Sequence, residues 1–155
     1  MVFARPDKYF LVAGFAEGQT PLNAFDNALM KAGIGNTNLI RISSILPPTA
    51  KEIPAAKLPY GALIPTAYAE EGSEVPGTVI SAAVACGVPD DPELPGVIME
   101  HHLQGDEERC RREVVAKVEE AFAMRGYKLA SVKVVSASGT VKSIGAAIAA
   151  VVLWI

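Results

Sequence analysis

The fold is decided by the end of the chain, which reads IGAAIAAVVLWI over residues 144–155. Successive side chains of a strand point to opposite faces of the sheet, and in this stretch both faces are apolar. Such a strand is buried on both sides, so we expect it to be central in a sheet or to lie between two layers. We predict that it begins near Val141 and pairs with a preceding strand, 127–137, as an antiparallel hairpin through Ser138 and Gly139.

Upstream, residues 21–32 have the pattern of an amphipathic helix. Thr20 stands at the N-cap position, Pro21 in the first turn, and Gly33 at the end. The predicted buried stripe consists of four apolar residues: Leu22, Phe25, Leu29 and Ala32. Asp26 flanks this stripe, and a carboxylate that points toward solvent is the simplest interpretation of its position.

A second helix is predicted between Asp106 and about Arg125. Asp106 caps it, Glu107 and Glu108 suit the positive end of the helix dipole, and Gly126 ends it. Its predicted buried stripe consists of Cys110, Val114, Val118, Ala121 and Phe122.

Further strands are predicted in the remaining apolar segments, which Gly and Pro residues separate: 9–15, 38–46, 60–69, 77–86 and 96–102. Residues 49–59 have the composition of an exposed loop. Two helices among these strands predict an α+β fold of a single domain, residues 1–155, with mainly antiparallel or mixed sheets.

The composition excludes several classes of function. The net charge is -3, and the basic residues around Arg109 stand among acidic ones, so we expect no nucleic-acid surface. The longest apolar run is too short to span a membrane. Cys86 and Cys110 lack CxxC spacing, which indicates reduced thiols and a cytoplasmic protein. A hydrophobic content of 50% suggests that subunits cover part of the surface.

Two short motifs have simple structural interpretations. Gly33 and Gly35 lie between a helix and a strand, the reverse of the order in which glycine-rich loops bind phosphate. On the predicted strand 96–102, Glu100 and His102 share a face while His101 points away. One carboxylate and one imidazole do not hold a metal ion, so we expect no metal site.

Ser43 and Ser44 lie inside an apolar segment that Pro47 and Pro48 hold extended. Asn38 precedes Ser44 by an even number of residues, so a regular strand would put both side chains on one face. Taken alone, a serine pair indicates no more than a strand end or a turn.

The serine pair is part of a wider resemblance. The blocks EGQTPLNAFD (17–26), GIGNTNLIRISSILPP (33–48), GALIPTAY (61–68) and GVIME (96–100) are similar to those of pyruvoyl-dependent arginine decarboxylases. So is the alanine-rich end through Leu153 and Trp154. The similarity runs in order along nearly the whole chain.

The resemblance implies an αββα sandwich that cuts itself between Ser43 and Ser44 into a short chain, 1–43, and a long chain, 44–155. It also implies a homotrimer, or a multiple of one, with active sites between subunits. In this family pattern Ser44 attacks the Ser43 carbonyl, Asn38 donates to the resulting oxyanion, and Ser44 becomes a covalent pyruvoyl group.

The implied activity is conversion of L-arginine to agmatine and CO2 through a Schiff base on the pyruvoyl group, without pyridoxal phosphate or metal. Glu100 matches the family's proton donor, and the apolar residues before it favour a protonated carboxyl group. Asp26 matches the carboxylate that binds the guanidinium group of the substrate.

Two alternatives stay open at this stage. The same cofactor could act on a different amino acid, because one helix carboxylate is slender support for a guanidinium site. The chain could also be an uncleaved, non-enzymatic trimeric scaffold. The resemblance assigns no role to His101, His102 or the turn at 87–95.

Overall fold

A computed structural model describes residues 4–155, in which two sheets pack face to face and one helix covers each outer face. The strands are β1 (Lys8–Glu17), β2 (Asn38–Arg41), β3 (Ile45–Leu46), β4 (Lys51–Glu52), β5 (Leu63–Ser73), β6 (Val79–Pro89), β7 (Gly96–Gln104), β8 (Leu129–Thr140) and β9 (Gly145–Trp154). The helices are α1 (Pro21–Ala32) and α2 (Glu107–Arg125). The expected α+β class and its αββα layering are confirmed.

The last strand organises one of the two sheets. The five-stranded sheet has the order β2-β5-β9-β1-β4, and the four-stranded sheet has the order β3-β7-β6-β8. β9 lies between β1 and β5 and runs antiparallel to both. Its residues 146–153 are buried, with α1 on one face and the other sheet on the opposite face. The central position expected from its two apolar faces is therefore confirmed.

The predicted hairpin between the last two strands is wrong. β8 pairs with β6 in the four-stranded sheet, whereas β9 belongs to the other sheet, so residues 141–144 cross between layers. The Glu17 carboxylate fixes this crossing by accepting hydrogen bonds from the N–H groups of Lys142 and Ser143 at 3.1 and 2.7 Å. The local sequence of residues 138–144 is compatible both with a hairpin within one sheet and with a crossing between the sheets. The packing of the two sheets determines that the crossing forms.

Helix α1 has the predicted bounds and caps. The Thr20 hydroxyl accepts from the Asn23 N–H at 3.1 Å, and Gly33 ends the helix with φ of 84°. The predicted stripe is wrong at Leu22, which is 75% exposed. The buried face consists of Ala24, Ala28, Leu29 and Ala32. Small residues suit this face because the helix lies so close to the sheet that a Cβ on Gly14 would be 2.7 Å from the Ala28 carbonyl oxygen.

Helix α2 has the predicted cap, end and buried stripe. The stripe packs on the four-stranded sheet, where Gly87 of β6 faces Val118 and Phe122. We predict that Gly87→Ala lowers the free energy of unfolding by about 1–3 kcal/mol, the usual cost of overpacking a core. The added Cβ would lie 2.5 Å from Val118 Cγ1 and 2.8 Å from Phe122 Cε1.

Urea denaturation followed by circular dichroism measures this change. The matched control is Gly72→Ala, whose Cβ would make an ordinary 3.4 Å contact with the Gly145 carbonyl oxygen. Equal midpoints for the two variants would contradict the packing of α2 against β6.

The strand predicted at 38–46 is divided between the two sheets. β2 runs parallel to β5 in one sheet, and β3 pairs with β7 in the other, so residues 42–44 cross from sheet to sheet. Asn38 and Ser44 therefore do not share one face of a regular strand, and that expectation is wrong. The predicted loop 49–59 contains the short edge strand β4. Within residues 4–155, neither helix is long and apolar enough to cross a membrane.

Candidate active site

The serine pair lies where the chain passes between the sheets. On one side, the Ile42 N–H donates to the Thr66 carbonyl at 3.2 Å in the five-stranded sheet. On the other side, the Ser44 carbonyl accepts from the Ile98 N–H at 2.7 Å in the four-stranded sheet. Ser43 is exposed and Ser44 is half-buried. The peptide bond between the serines is thus held from both ends while it belongs to neither sheet.

Glu100 lies on the strand that holds Ser44. Ile98 and Glu100 are two residues apart on β7, a rise of about 7 Å, so their side chains point to the same face. Ile98 packs in the core between the two sheets. The Glu100 side chain therefore faces the space between the sheets, two residues along β7 from Ile98, whose N–H binds the Ser44 carbonyl.

A cavity of about 560 Å³ opens beside Glu100. Its other walls come from both sheets and from α2, and they include Arg41, Tyr68, Glu70, His102 and Lys117. The size is that of a site for a small molecule, and the walls carry charges of both signs.

The Glu100 carboxyl group is shielded from water. Burial raises its pKa, while the positive charges of Arg41, Lys117 and His102 oppose this rise. Its Oε2 atom is buried and has no hydrogen-bond partner within residues 4–155. A carboxyl group whose pKa burial raises keeps its proton to higher pH than an exposed one and is a candidate donor to a molecule in the cavity.

Three of the cavity residues, Arg41, Tyr68 and Lys117, received no role from the sequence. The Arg41 guanidinium stacks 4.1 Å from the centre of the Tyr68 ring and donates to the Tyr68 carbonyl at 3.0 Å. Lys117 of α2 donates to the Glu100 carbonyl at 2.9 Å. Signals existed for Arg41, a lone charge in an apolar strand just before the serine pair, and for Tyr68, which ends the block 61–68.

Of the predicted site residues, Glu100 lines this cavity, whereas Ser43, Ser44, Asn38 and Asp26 do not. The Asn38 amide donates to the Gly61 carbonyl at 3.0 Å and ties the start of β2 to the loop before β5. Asp26 is exposed on the outer face of α1. The structure therefore joins the backbone of Ser44 to the strand that carries Glu100, and it leaves Ser44, Asn38 and Asp26 outside the cavity lining.

The two histidines point in opposite directions, as expected for neighbours on a strand. His102 contacts the Glu71 carboxylate through Nδ1 at 2.8 Å, beside Glu100. His101 contacts Glu113 of α2 through Nε2 at 2.5 Å. The Arg109 guanidinium and His101 both hydrogen-bond to Glu113 and lower its pKa. His101 thus joins β7 to α2, on the side of the sheet away from the Glu100 carboxyl group.

Both cysteines are free and buried, as the sequence predicted for reduced thiols. Burial raises the pKa of Cys86 to about 12 and that of Cys110 to about 11. Thiolate nucleophiles are therefore nearly absent at neutral pH, and the cysteines act as small apolar residues of the core.

A four-layer α+β protein with a shielded, raised-pKa carboxyl group in a small-molecule cavity has the arrangement of an enzyme with acid–base chemistry. A family model described as pyruvoyl-dependent arginine decarboxylase matches residues 8–154. The chain therefore belongs to the family of pyruvoyl-dependent arginine decarboxylases.

Individual relatives agree with the family model. The pyruvoyl-dependent arginine decarboxylase of Methanocaldococcus jannaschii is 48% identical over 152 residues, covering 98% of this chain and 92% of that protein. The proteins of the same name from Methanococcus maripaludis and Pyrococcus abyssi are 45% and 44% identical. These matches cover 98% and 99% of this chain and 93% and 99% of the relatives.

Proposed function

We propose that the chain cuts itself between Ser43 and Ser44 and that the mature protein converts L-arginine to agmatine and CO2. One observation carries this proposal. The shielded carboxyl group of Glu100 lies on the same strand face as Ile98, whose N–H holds the Ser44 carbonyl at 2.7 Å. The proton donor thereby lies on the strand to which the backbone of the future cofactor residue is hydrogen-bonded.

The proposed cut begins when Ser44 Oγ attacks the carbonyl carbon of Ser43, so that an ester replaces the amide bond. Elimination across Cα–Cβ of residue 44 frees the Ser43 carboxyl group, and hydrolysis of the remaining enamine releases ammonia. Hydrogen bonds at Ile42 and Ser44 fix both flanks of the reacting bond, which limits the entropy lost on reaching the attacking geometry. Asn38 is the proposed hydrogen-bond donor to the oxyanion. For this role its side-chain amide must break its hydrogen bond to the Gly61 carbonyl and donate to the oxyanion instead.

The residues around position 44 fit a pyruvoyl group. Its amide carbonyl would be the carbonyl of residue 44, which already accepts a hydrogen bond from Ile98. The group supplies a ketone that reacts with the α-amine of the substrate and takes up the electron pair released with CO2. Glu100 holds a proton on its carboxyl group and delivers it to the substrate α-carbon after CO2 has left.

Asp26 is the proposed partner of the substrate guanidinium. It is exposed on α1 and lies outside the cavity, so this role requires a second copy of the chain. Exposed apolar side chains near the same regions, Leu22, Ile40 and Leu63, suit burial between subunits. We therefore include a homotrimer, or a multiple of one, in the proposal, with 1–155 as one domain that acts in the cytoplasm.

Intact mass spectrometry and a substrate panel test the proposal. Purified protein is expected to contain chains 1–43 and 44–155, with the longer one reactive toward a carbonyl reagent, and to release agmatine from arginine. A single chain without a reactive carbonyl would indicate an inert scaffold. Cleaved protein that acts on lysine, ornithine or histidine but not on arginine would support the alternative substrate.

Removal of the Lys117 charge is expected to shift the pH profile of decarboxylation. Lys117, with Arg41 and His102, opposes the burial that raises the Glu100 pKa, so Lys117→Met raises this pKa further. Because Glu100 acts in its protonated form, activity falls as pH rises through its pKa, and the basic limb of the profile moves to higher pH. Rates measured across pH check this shift. Arg112→Met, which removes an exposed charge from the same helix outside the cavity, should leave the limb in place.

A further inference from the structure

Arg41 is the cavity cation with the most unused hydrogen-bonding capacity, because Lys117 has three N–H donors and Arg41 has five. Lys117 donates to the Glu100 carbonyl, and His102 is paired with Glu71. A guanidinium has five N–H donors, and within residues 4–155 that of Arg41 makes one hydrogen bond, to the Tyr68 carbonyl, and no ion pair. Its remaining donors are therefore available to an anion in the cavity.

The position of the guanidinium is fixed before any ligand binds. Arg41 is paired with Thr66 between β2 and β5, and Tyr68 lies two residues farther along β5. The Tyr68 ring and carbonyl together hold the guanidinium plane. Little side-chain entropy remains to be lost on binding, and the planar fork of donors matches the two oxygens of a carboxylate.

The segment that carries Arg41 also carries the reacting residue. Arg41 lies three positions before Ser44 and lines the same cavity as Glu100. A substrate joined to residue 44 and protonated by Glu100 must have its α-carbon between the two. The carboxylate on that carbon needs a cation, and Arg41 is the cavity cation that belongs to the same segment as residue 44.

We propose that Arg41 binds the α-carboxylate of the substrate, an inference that rests on the proposed decarboxylase function. The contact exists while the substrate is bound and disappears when the carboxylate leaves as neutral CO2. It therefore stabilises the bound substrate more than the transition state and contributes to KM more than to kcat. Agmatine has no carboxylate, so its binding does not depend on Arg41.

Arg41→Gln and Arg41→Lys test this proposal after intact mass spectrometry has established that each variant is cut. For Arg41→Gln we expect KM for arginine to rise about 10- to 100-fold, as for the loss of a charged hydrogen-bonded pair. The inhibition constant for agmatine should stay within about twofold, and Arg41→Lys should recover part of the loss. Because Arg41 also affects the Glu100 pKa, kcat is compared on the plateau of each pH profile.

A parallel rise in KM for arginine and in the inhibition constant for agmatine would overturn the proposal, since it would indicate general damage to the cavity. An unchanged KM would overturn it as well. If Arg41→Gln is not cut, calorimetry in a Ser44→Ala background compares arginine with agmatine, and selective loss of arginine binding is expected. Wild-type protein without activity on arginine would instead contradict the proposed function itself.

Discussion

Replacement of Ser44 by alanine is expected to leave the chain in one piece and without decarboxylase activity. Alanine has no oxygen with which to attack the Ser43 carbonyl, and no pyruvoyl group can form without that oxygen. Intact mass spectrometry should find one species corresponding to residues 1–155, and a carbonyl reagent should leave it unmodified. Agmatine formation should fall below detection.

The neighbouring serine provides the matched control. In the proposed cut Ser43 contributes only its backbone carbonyl, and the residue is exposed. Ser43→Ala should therefore still be cut and should form agmatine. If the Ser44 variant is cut, or if only the Ser43 variant stays intact, then the nucleophile has been assigned to the wrong residue.

Glu100→Gln should be cut normally yet turn over about 10²- to 10⁴-fold more slowly than wild type, the usual contribution of a positioned acid. Glutamine has nearly the shape of a protonated glutamate but cannot deliver a proton to the α-carbon. We therefore expect the loss in kcat, with KM for arginine little changed. Steady-state agmatine assays, paired with intact mass spectrometry of the same sample, separate a chemical defect from a failure to mature.

The pH profile gives a second test of Glu100. Burial raises its pKa, so wild-type activity should decline as pH rises through this pKa, at a higher pH than for an ordinary glutamate. The residual activity of Glu100→Gln should lack this limb. The control is Glu108→Gln, an exposed carboxylate in the first turn of α2, which should retain both rate and profile. A normal rate for Glu100→Gln would assign proton delivery to another group.

Local sequence predicted the elements whose determinants are local. The caps of both helices and the buried stripe of α2 depend on side chains a few residues apart. The exposure of Leu22 and the separation of β8 from β9 depend on how closely layers pack, which no short window of sequence contains. The break in the strand at 42–44 was missed because an apolar run has the same pattern in one sheet or in two.

The same distinction applies to the candidate site. Ser44 and Glu100 were found because each lies in a block with a family resemblance, and the fold joins the Ser44 carbonyl to the strand of Glu100 through Ile98. Tyr68 and Lys117 reach the cavity from distant parts of the chain, on β5 and α2. Tyr68 lies in one of those blocks without a role assigned to it, and Lys117 lies in none. The role proposed for Asp26 comes from the resemblance alone, because in one copy of the chain this carboxylate is exposed on α1.

The ten-residue pairing of β1 with β9 determines what self-cleavage can do to the molecule. If the bond after Ser43 is cut, β1, α1 and β2 become a separate polypeptide that still supplies one inner strand and one edge strand of the five-stranded sheet. The β1–β9 pairing should hold the two chains together, so that they separate only in denaturant. The cut ends, in contrast, lose their shared tether and can move apart. Maturation would then open the structure locally at the crossing formed by residues 42–44, while the surrounding sheets keep their arrangement.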